Sequence, residues 1–197
     1  MEGIDKIFPC IHTGWYVIKS ARDMNSLYLI LKTLHILGSI LFLGNIIITA
    51  WWKLMADRRS DAVVVAFAQR QITLTDYVFT AGGAALLAIG GLGLAYWYGI
   101  GFWHTPWLSW GLSLFIASGV IWVAILVPVQ TKQARLARSL ANGGPIPVTY
   151  REELMSREAG RRERSEYWRL GRIWNGFGLL ATLLPLIAVY LMVFKPV

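Results

Sequence analysis

Residues 31–45 read LKTLHILGSILFLGN and form the centre of a long apolar segment. The whole segment extends over about 27–52, and a membrane-spanning helix needs about 20 mainly apolar residues. Three further segments of this kind follow, over about 74–97, 107–129 and 173–194. The predicted fold is therefore all-α, an integral membrane four-helix bundle within 27–197.

The composition supports a membrane protein and excludes several soluble classes. Hydrophobic residues make up 56% of the chain and charged residues 15%, whereas soluble domains carry roughly 25% charged residues. The net charge of +8 does not predict nucleic-acid binding, because cytoplasmic loops of membrane proteins accumulate Lys and Arg. The single cysteine, Cys10, excludes an intrachain disulfide, and PCIH (9–12) lacks the second cysteine of a covalent haem-attachment motif. Phosphate-loop, dinucleotide-binding and hydrolase motifs are absent from the sequence.

The distribution of basic residues predicts how the spans are oriented. Lys and Arg are numerous between the first and second spans and in the long loop 130–172, and they are absent from 98–106. Because basic loops face the cytoplasm, both termini are expected to face outward. Within 130–172, Thr149 and Glu152 form a capping box that predicts a charged helix leading into the fourth span. The loop is interpreted as a solvated surface near anionic headgroups, with a docking surface for a partner protein as the alternative.

The N-terminal tail, 1–26, is predicted to lie outside the spans, because its apolar part (7–18) is too short to cross a membrane. It also lacks the features of a cleaved signal peptide. Two interpretations stay open. Either the tail lies on the membrane surface, or it is a gene-model extension and Met24, instead of Met1, is the true start.

Polar and small residues form a stripe along one side of three spans when residues are placed at intervals of about 100°. In lipid, ionisable residues usually face the bundle interior, so the stripes are predicted to meet at its centre. Near the cytoplasmic boundary, Asp76 and Arg172 are predicted to form an ion pair. The stripe residues are Lys32, His35, Gly38, Ser39, Asn45 and Thr49 on the first span, Asp76, Thr80, Gly83 and Gly90 on the second, and Arg172, Asn175, Gly178 and Thr182 on the fourth.

His35 is the residue on which a functional hypothesis depends. It lies roughly 12 Å from the outer end of the first span at 1.5 Å per residue, and hence near the bilayer midplane. A neutral imidazole there can ligate haem iron or another metal, relay protons, or hydrogen-bond a neighbouring helix at Ser113 or a backbone carbonyl. The second span carries glycines at a similar depth, including Gly90 and Gly93. They either allow close helix packing or clear space for a flat ligand.

The remaining ionisable residues give weaker signals. Lys32 can extend its side chain to the outer surface and needs no special role. His35 is the single histidine within a span, so haem ligation by two histidines of one chain is not predicted. His12 and His104 could bind a soft or borderline metal together with Cys10 at the outer surface.

Four stretches carry a family resemblance that covers about residues 24–197: LKTLHILGSILFLGN, TDYVFT (75–80), YWRLGRIW (167–174) and LMVFKP (191–196). In this order they resemble a bacterial family of predicted integral membrane proteins of unknown function, grouped with the copper-resistance protein CopD and the HemJ-type protoporphyrinogen oxidases. The resemblance implies a helical bundle whose first span carries a haem-linked histidine, which matches His35. HemJ-type relatives also carry a lysine in a later span, and this chain has none there before Lys195. A Met-rich or His-rich lining for copper passage is absent as well.

The predicted function is that of a bacterial inner-membrane protein that binds b-type haem through His35 for redox chemistry or electron transfer. The expected partners are the lipid bilayer and a second copy of the chain or a membrane redox partner. One alternative is a small transporter or metal/ion permease with His35, Asn45 and Asp76 along a polar path. The other is a non-catalytic membrane assembly partner. The predicted cofactor-binding residues are His35, Gly90, Gly93 and Ser113, with His35 as the metal ligand.

Overall fold

The computed structural model describes residues 9–59, 61–143 and 150–195, and the side chains within these ranges from residue 25 onward apart from 103, 150–154 and 156. The described residues form four long helical rods and no strand. Two rods are single helices, and two consist of a pair of helices joined by a π-helical turn. The elements are α1 (Pro9–Arg59), α2 (Ala62–Thr75), a π turn (Asp76–Thr80), α3 (Ala81–Trp97), a short 3-10 turn (Phe102–His104), α4 (Pro106–Ile121), a π turn (Trp122–Leu126), α5 (Val127–Ala141) and α6 (Tyr150–Phe194).

Each rod contains a segment that is long and apolar enough to cross a membrane. Large apolar side chains such as Ile40, Phe67 and Leu179 are exposed on the outside of the bundle, which is typical of a surface that contacts lipid. The predicted all-α, four-helix membrane bundle is therefore confirmed. The four membrane-crossing candidates are Asn25–Arg59, Ala62–Trp97, Pro106–Ala141 and Arg157–Phe194.

Local sequence signals set the helix ends. Asp61 caps α2 by accepting hydrogen bonds from the backbone N–H groups of Val63 (2.8 Å) and Val64 (3.3 Å). Gly99, at a φ of +62°, follows the end of α3, and Pro106 occupies the first turn of α4. The rods are longer than the predicted spans because their more polar flanks are amphipathic and continue the helices.

The long basic loop is largely helical. α5 ends at Ala141 and α6 begins at Tyr150, which confirms the predicted charged helix leading into the fourth span. Lys132 of α5 and Glu166 of α6 form an ion pair of 2.5 Å. The capping residue Thr149 lies outside the described residues, as do residues 1–8 of the N-terminal tail. From Pro9 onward the tail backbone continues α1 without a break.

The rods associate as two pairs. α1 packs along α3, and α4 packs along α6. α2 and α5 pack on each other and on these pairs at the end that holds the α1–α2 and α5–α6 connections, which we call the basic end. Toward the α3–α4 connection, which we call the opposite end, a groove separates the two pairs.

Glycine residues bring the backbones of α1 and α3 into contact. A Cβ atom added to Gly90 would lie 2.5 Å from the backbone N of His35 and 2.7 Å from the carbonyl oxygen of Leu31. A Cβ atom added to Gly38 would overlap the backbone N of Leu87. Small residues are the usual means of close helix packing in lipid, and here they fix the register of α1 on α3.

A polar cluster of Lys53, Asp57, Gln69 and Tyr167, the tyrosine cluster, joins α1, α2 and α6 at the basic end. The Tyr167 hydroxyl accepts hydrogen bonds from Lys53 Nζ (3.2 Å) and Gln69 Nε2 (3.0 Å) and donates one to Asp57 Oδ1 (2.6 Å). Lys53 is 1% exposed and also pairs with Asp57 Oδ2 at 3.1 Å. The sequence placed Lys53 in a connecting loop, whereas the structure shows a buried lysine with a carboxylate partner.

Gly90→Ala is expected to destabilise the protein, because the new methyl group meets the helical backbone of α1. Overpacking costs typically about 1–3 kcal/mol, so the free energy of unfolding in detergent should fall by about that much or more. Gly82→Ala is the control, because no atom lies within 4 Å of its Cβ position. There, replacing a helical glycine should raise the free energy of unfolding by up to about 1 kcal/mol. Equal effects at the two positions would contradict the close contact.

Tyr167→Phe is expected to lower the free energy of unfolding, because it removes one hydrogen-bond partner from each of two buried groups, Lys53 Nζ and Gln69 Nε2. A buried group left unsatisfied costs roughly 1–3 kcal/mol. Tyr190→Phe, on the same helix but 55% exposed, should change the value by less than about 0.5 kcal/mol. Chemical unfolding in micelles measures both variants. If they prove equally stable, the tyrosine cluster does not hold the rods together.

Candidate functional site

The imidazole of His35 is held in one tautomer. Its Nδ1 lies 2.8 Å from the carbonyl oxygen of Leu87 on α3. Because a carbonyl oxygen only accepts, Nδ1 carries a proton, and in the neutral imidazole the lone pair is therefore on Nε2. The ring packs on Gly91, where a Cβ atom would lie 2.9 Å from both Nδ1 and Cε1. Of the three roles considered for His35, the hydrogen bond to a neighbouring helix is observed, with a backbone carbonyl as its acceptor. Metal ligation and proton relay stay predictions.

Nε2 of His35 is left for another partner. Among the described residues, the ring makes one hydrogen bond, through Nδ1 to the Leu87 carbonyl, and Nε2 makes none. The side chain is half-buried and lines the groove between the helix pairs. Metal-ligating histidines use the same arrangement, in which one ring nitrogen donates to a carbonyl and the other binds the metal.

The groove has the size of a small-molecule site. Its volume is about 860 Å³, and such sites have volumes of roughly 300–1,000 Å³. α1 and α3 form one wall, and α4 and α6 form the other. Phe42 and Phe115 meet edge to face between the pairs, with ring centroids 5.7 Å apart. The lining is mostly aliphatic and aromatic, so the groove suits an apolar molecule.

Two lysines give the part of the groove nearer the opposite end a positive charge. Lys32 lies about one turn from His35 on α1, with its Nζ 5.7 Å from the centre of the Tyr28 ring. Lys195 follows α6, with its Nζ 5.3 Å from the centre of the Trp107 ring. Both lysines line the groove. Lys32 is exposed, which fits a side chain that extends toward the outer surface and not a buried position in the polar stripe.

Three of the predicted cofactor-binding residues do not border an open site. Ser113 is exposed and donates its hydroxyl hydrogen to the carbonyl of Ser109 on its own helix (2.8 Å), so it is not the partner of His35. Counting residues from the outer end of the span predicted that Ser113 lies at the depth of His35. That count does not determine which side of α4 the Ser113 side chain is on. The space beside Gly90 and Gly93 is filled by α1, and Leu31 Cδ2 lies 2.6 Å from the Cβ position of Gly93. These glycines allow close packing.

Asp76 belongs to a second polar site, in the half of the bundle nearer the basic end. Its Oδ1 accepts hydrogen bonds from Asn45 Nδ2 (2.9 Å) and from the Thr80 hydroxyl (3.0 Å). All three residues are buried, so Asn45 and Asp76 occupy the interior positions expected of them. His35 lines the groove, whereas Asn45 and Asp76 do not. The single polar path predicted for a transporter is therefore not formed by the described residues.

Arg172 and Asn175 do not reach the bundle interior. Both are exposed on α6, and among the described residues no ion pair joins Arg172 to Asp76. The predicted interfacial ion pair is wrong. The interior face of α6 at this level is formed by Leu170 and Trp174, which are buried and leave Arg172 on the outer side.

Three buried glutamines near the basic end were not predicted from the sequence. Gln69, Gln130 and Gln133 are at most 2% exposed, although they lie outside the predicted spans. The amphipathic pattern of α5 could have found two of them, since its buried residues are Gln130, Gln133 and Ala137, at helical spacing.

A metal centre built from several protein ligands is not found in the described part of the chain. No three His, Cys, Asp or Glu side chains there come close enough to hold a metal ion. His104 is exposed near the α3–α4 connection. The side chains of Cys10 and His12 lie outside those described, so the proposed surface metal site with His104 stays a prediction.

Comparison with known proteins agrees with the membrane fold. A family model described as "Predicted integral membrane protein (DUF2269)" matches residues 29–159, which include both His35 and Asp76. No curated protein and no solved structure matches the chain. The family description mentions neither CopD nor HemJ, so that relationship stays a prediction. Because the match covers more than half of the chain, this protein belongs to the DUF2269 family of predicted integral membrane proteins.

Proposed function

We propose that the protein is a bacterial inner-membrane haem protein in which His35 ligates a b-type haem held in the groove. The observation that supports this most directly is the 2.8 Å hydrogen bond between His35 Nδ1 and the Leu87 carbonyl, which leaves Nε2 as a fixed ligand. A haem held by histidine supplies one-electron redox chemistry. The function proposed is electron transfer or a related redox reaction, with a membrane redox partner or a second copy of the chain.

The groove residues fit the chemistry of haem. The aliphatic and aromatic walls suit an apolar porphyrin face and limit the access of water to the iron. The two haem carboxylates need cations, and Lys32 and Lys195 both line the groove. Gly90, Gly93 and Ser113, which were predicted to contact the cofactor, are not part of this proposal.

The Leu87 carbonyl also determines how His35 acts as a ligand. A hydrogen bond accepted from Nδ1–H makes Nε2 more basic and holds the ring in one orientation. The acceptor belongs to the helical backbone of α3, whose position against α1 is fixed by the glycine contact. The imidazole is therefore preorganised before any ligand enters the groove.

Protein purified from haem-replete cells is expected to show a Soret absorption band that His35→Ala abolishes. His104→Ala, which removes an exposed histidine, should leave the band unchanged. Thermal unfolding of each variant checks that the fold persists. A wild-type protein without a Soret band, or a band retained in His35→Ala, would contradict the proposal. The absence of the band in the wild type would favour the transporter and assembly-partner alternatives, because neither requires a porphyrin, whereas a retained band would place the haem on another ligand.

Lys32→Gln and Lys195→Gln are each expected to weaken haem retention by up to about fivefold, because a partly exposed ion pair contributes roughly 0.2–1 kcal/mol. Transfer of haem to a competing apoprotein measures the retention. Lys132→Gln is the control, since its ion pair with Glu166 lies at the basic end. If neither groove variant differs from this control, the haem carboxylates do not lie beside these lysines, whatever the result at His35.

A further inference from the structure

Asp76 is a buried carboxyl group without a cationic partner. It is 5% exposed, and its hydrogen-bond donors, Asn45 Nδ2 and the Thr80 hydroxyl, are neutral. No salt bridge joins Asp76 to any cation in the ranges that the structure describes. An unpaired charge inside a membrane protein is costly, so this carboxyl group requires either a proton or a bound cation to become neutral.

The charged groups of the surrounding helices are engaged elsewhere. On α1, Lys53 pairs with Asp57 at 3.1 Å, and on α6 the titratable Tyr167 is bonded within the tyrosine cluster. On α2, Arg70 is exposed. On α5, Lys132 is exposed and pairs with Glu166 of α6. The residues that α5 presents inward near Asp76 are the neutral glutamines.

Two buried glutamines of α5, Gln130 and Gln133, have polar atoms that are not hydrogen-bonded. They are 1% and 0% exposed, yet among the described side chains and backbone Gln130 Nε2 and Gln133 Oε1 have no hydrogen-bond partner. Gln130 faces the Asp76 carboxyl group from α5, but no hydrogen bond of ordinary geometry joins its Nε2 to the carboxyl oxygens. Buried polar groups in this state are usually satisfied by water. A water molecule that accepts from Gln130 Nε2 can donate to Asp76.

Gln130 and Gln133 follow each other along α5 in the direction of the basic end. Gln133 lies about 4.5 Å farther along α5 at 1.5 Å per residue, and its Nε2 donates to the carbonyl of Tyr167 (3.3 Å). Its unpaired Oε1 can accept a hydrogen bond from a second water molecule. The unpaired atoms thus lie between Asp76 and the tyrosine cluster, in the half of the bundle where the basic loops meet.

We propose that Asp76 is a reversible proton-binding site, supplied from the basic end through water molecules held by Gln130 and Gln133. One proton from the solution at that end binds the carboxylate to give the neutral carboxylic acid, and the reverse step returns it by the same route. Asn45 and Thr80 hold the carboxyl group in position in both states. The site is separate from the groove and does not depend on the binding of haem.

Infrared difference spectroscopy of the full-length protein in lipid nanodiscs tests the site. A fall in pH is expected to produce the C=O stretching band of one buried protonated carboxyl group, and Asp76→Asn should abolish it. Asp76→Asn keeps the acceptor oxygen and nearly the same shape, so the fold should persist, and thermal unfolding checks this. Glu158→Gln, which alters an exposed carboxylate, should leave the band unchanged. A band that persists in Asp76→Asn, or no such band in the wild type, overturns the proposal.

Two further measurements test the water route and the identity of the ion. In D₂O the band should shift promptly in the wild type, and Gln130→Leu should slow this exchange by about tenfold or more; equal exchange rates would exclude the route through Gln130. Replacing Na⁺ by a large organic cation at constant pH should leave the band unchanged. A band that appears when Na⁺ is removed would overturn the proton assignment in favour of a sodium site.

Discussion

The contact between the backbones of α1 and α3 is the constraint on which the rest of the structure depends. Gly38, Gly83 and Gly90 remove the side chains that would separate the two helices. The resulting register brings the Leu87 carbonyl to the His35 ring and the Asp76 carboxyl group to Asn45. Both polar sites are therefore built by one helix pair, and the second pair supplies the walls that face them.

The two halves of the bundle differ in packing and in polarity. At the basic end, the tyrosine cluster joins the two pairs through hydrogen bonds, and the buried Gln133 joins α5 to α6. At the opposite end the pairs are separated by the groove, whose lining is mostly apolar. Phe42 and Phe115 stand between these regions. In this arrangement an electron carrier in the groove and a proton at Asp76 would act on the same helix pair without sharing a cavity.

The sequence was sufficient for the fold and for part of the site. Apolar length alone gave the four spans, and the angular positions of Asn45, Thr80 and Gly83 were recovered because lipid imposes a strong penalty on outward polar groups. Arg172 was misplaced because a long cation at a span boundary can reach water from the outer side. Lys53 was missed because its burial depends on α2 and α6 meeting α1 beyond the apolar spans, a tertiary contact with no local signature. Gln130 lies on the buried face of the amphipathic helix α5, a pattern that indicates burial but does not show which helices cover that face. The prediction that Ser113 lies beside His35 was wrong because the depth of a residue along a helix does not determine the direction in which its side chain points.

Ligation of iron by His35 is tested most directly by pulsed electron paramagnetic resonance of the ferric protein grown with ¹⁵N-labelled histidine. Hyperfine coupling between the iron electron spin and a labelled imidazole nitrogen is the expected result, and it should disappear in His35→Ala but persist in His104→Ala. The absence of a haem iron signal, or a histidine coupling that survives the loss of His35, would contradict the assignment of this residue as the haem ligand.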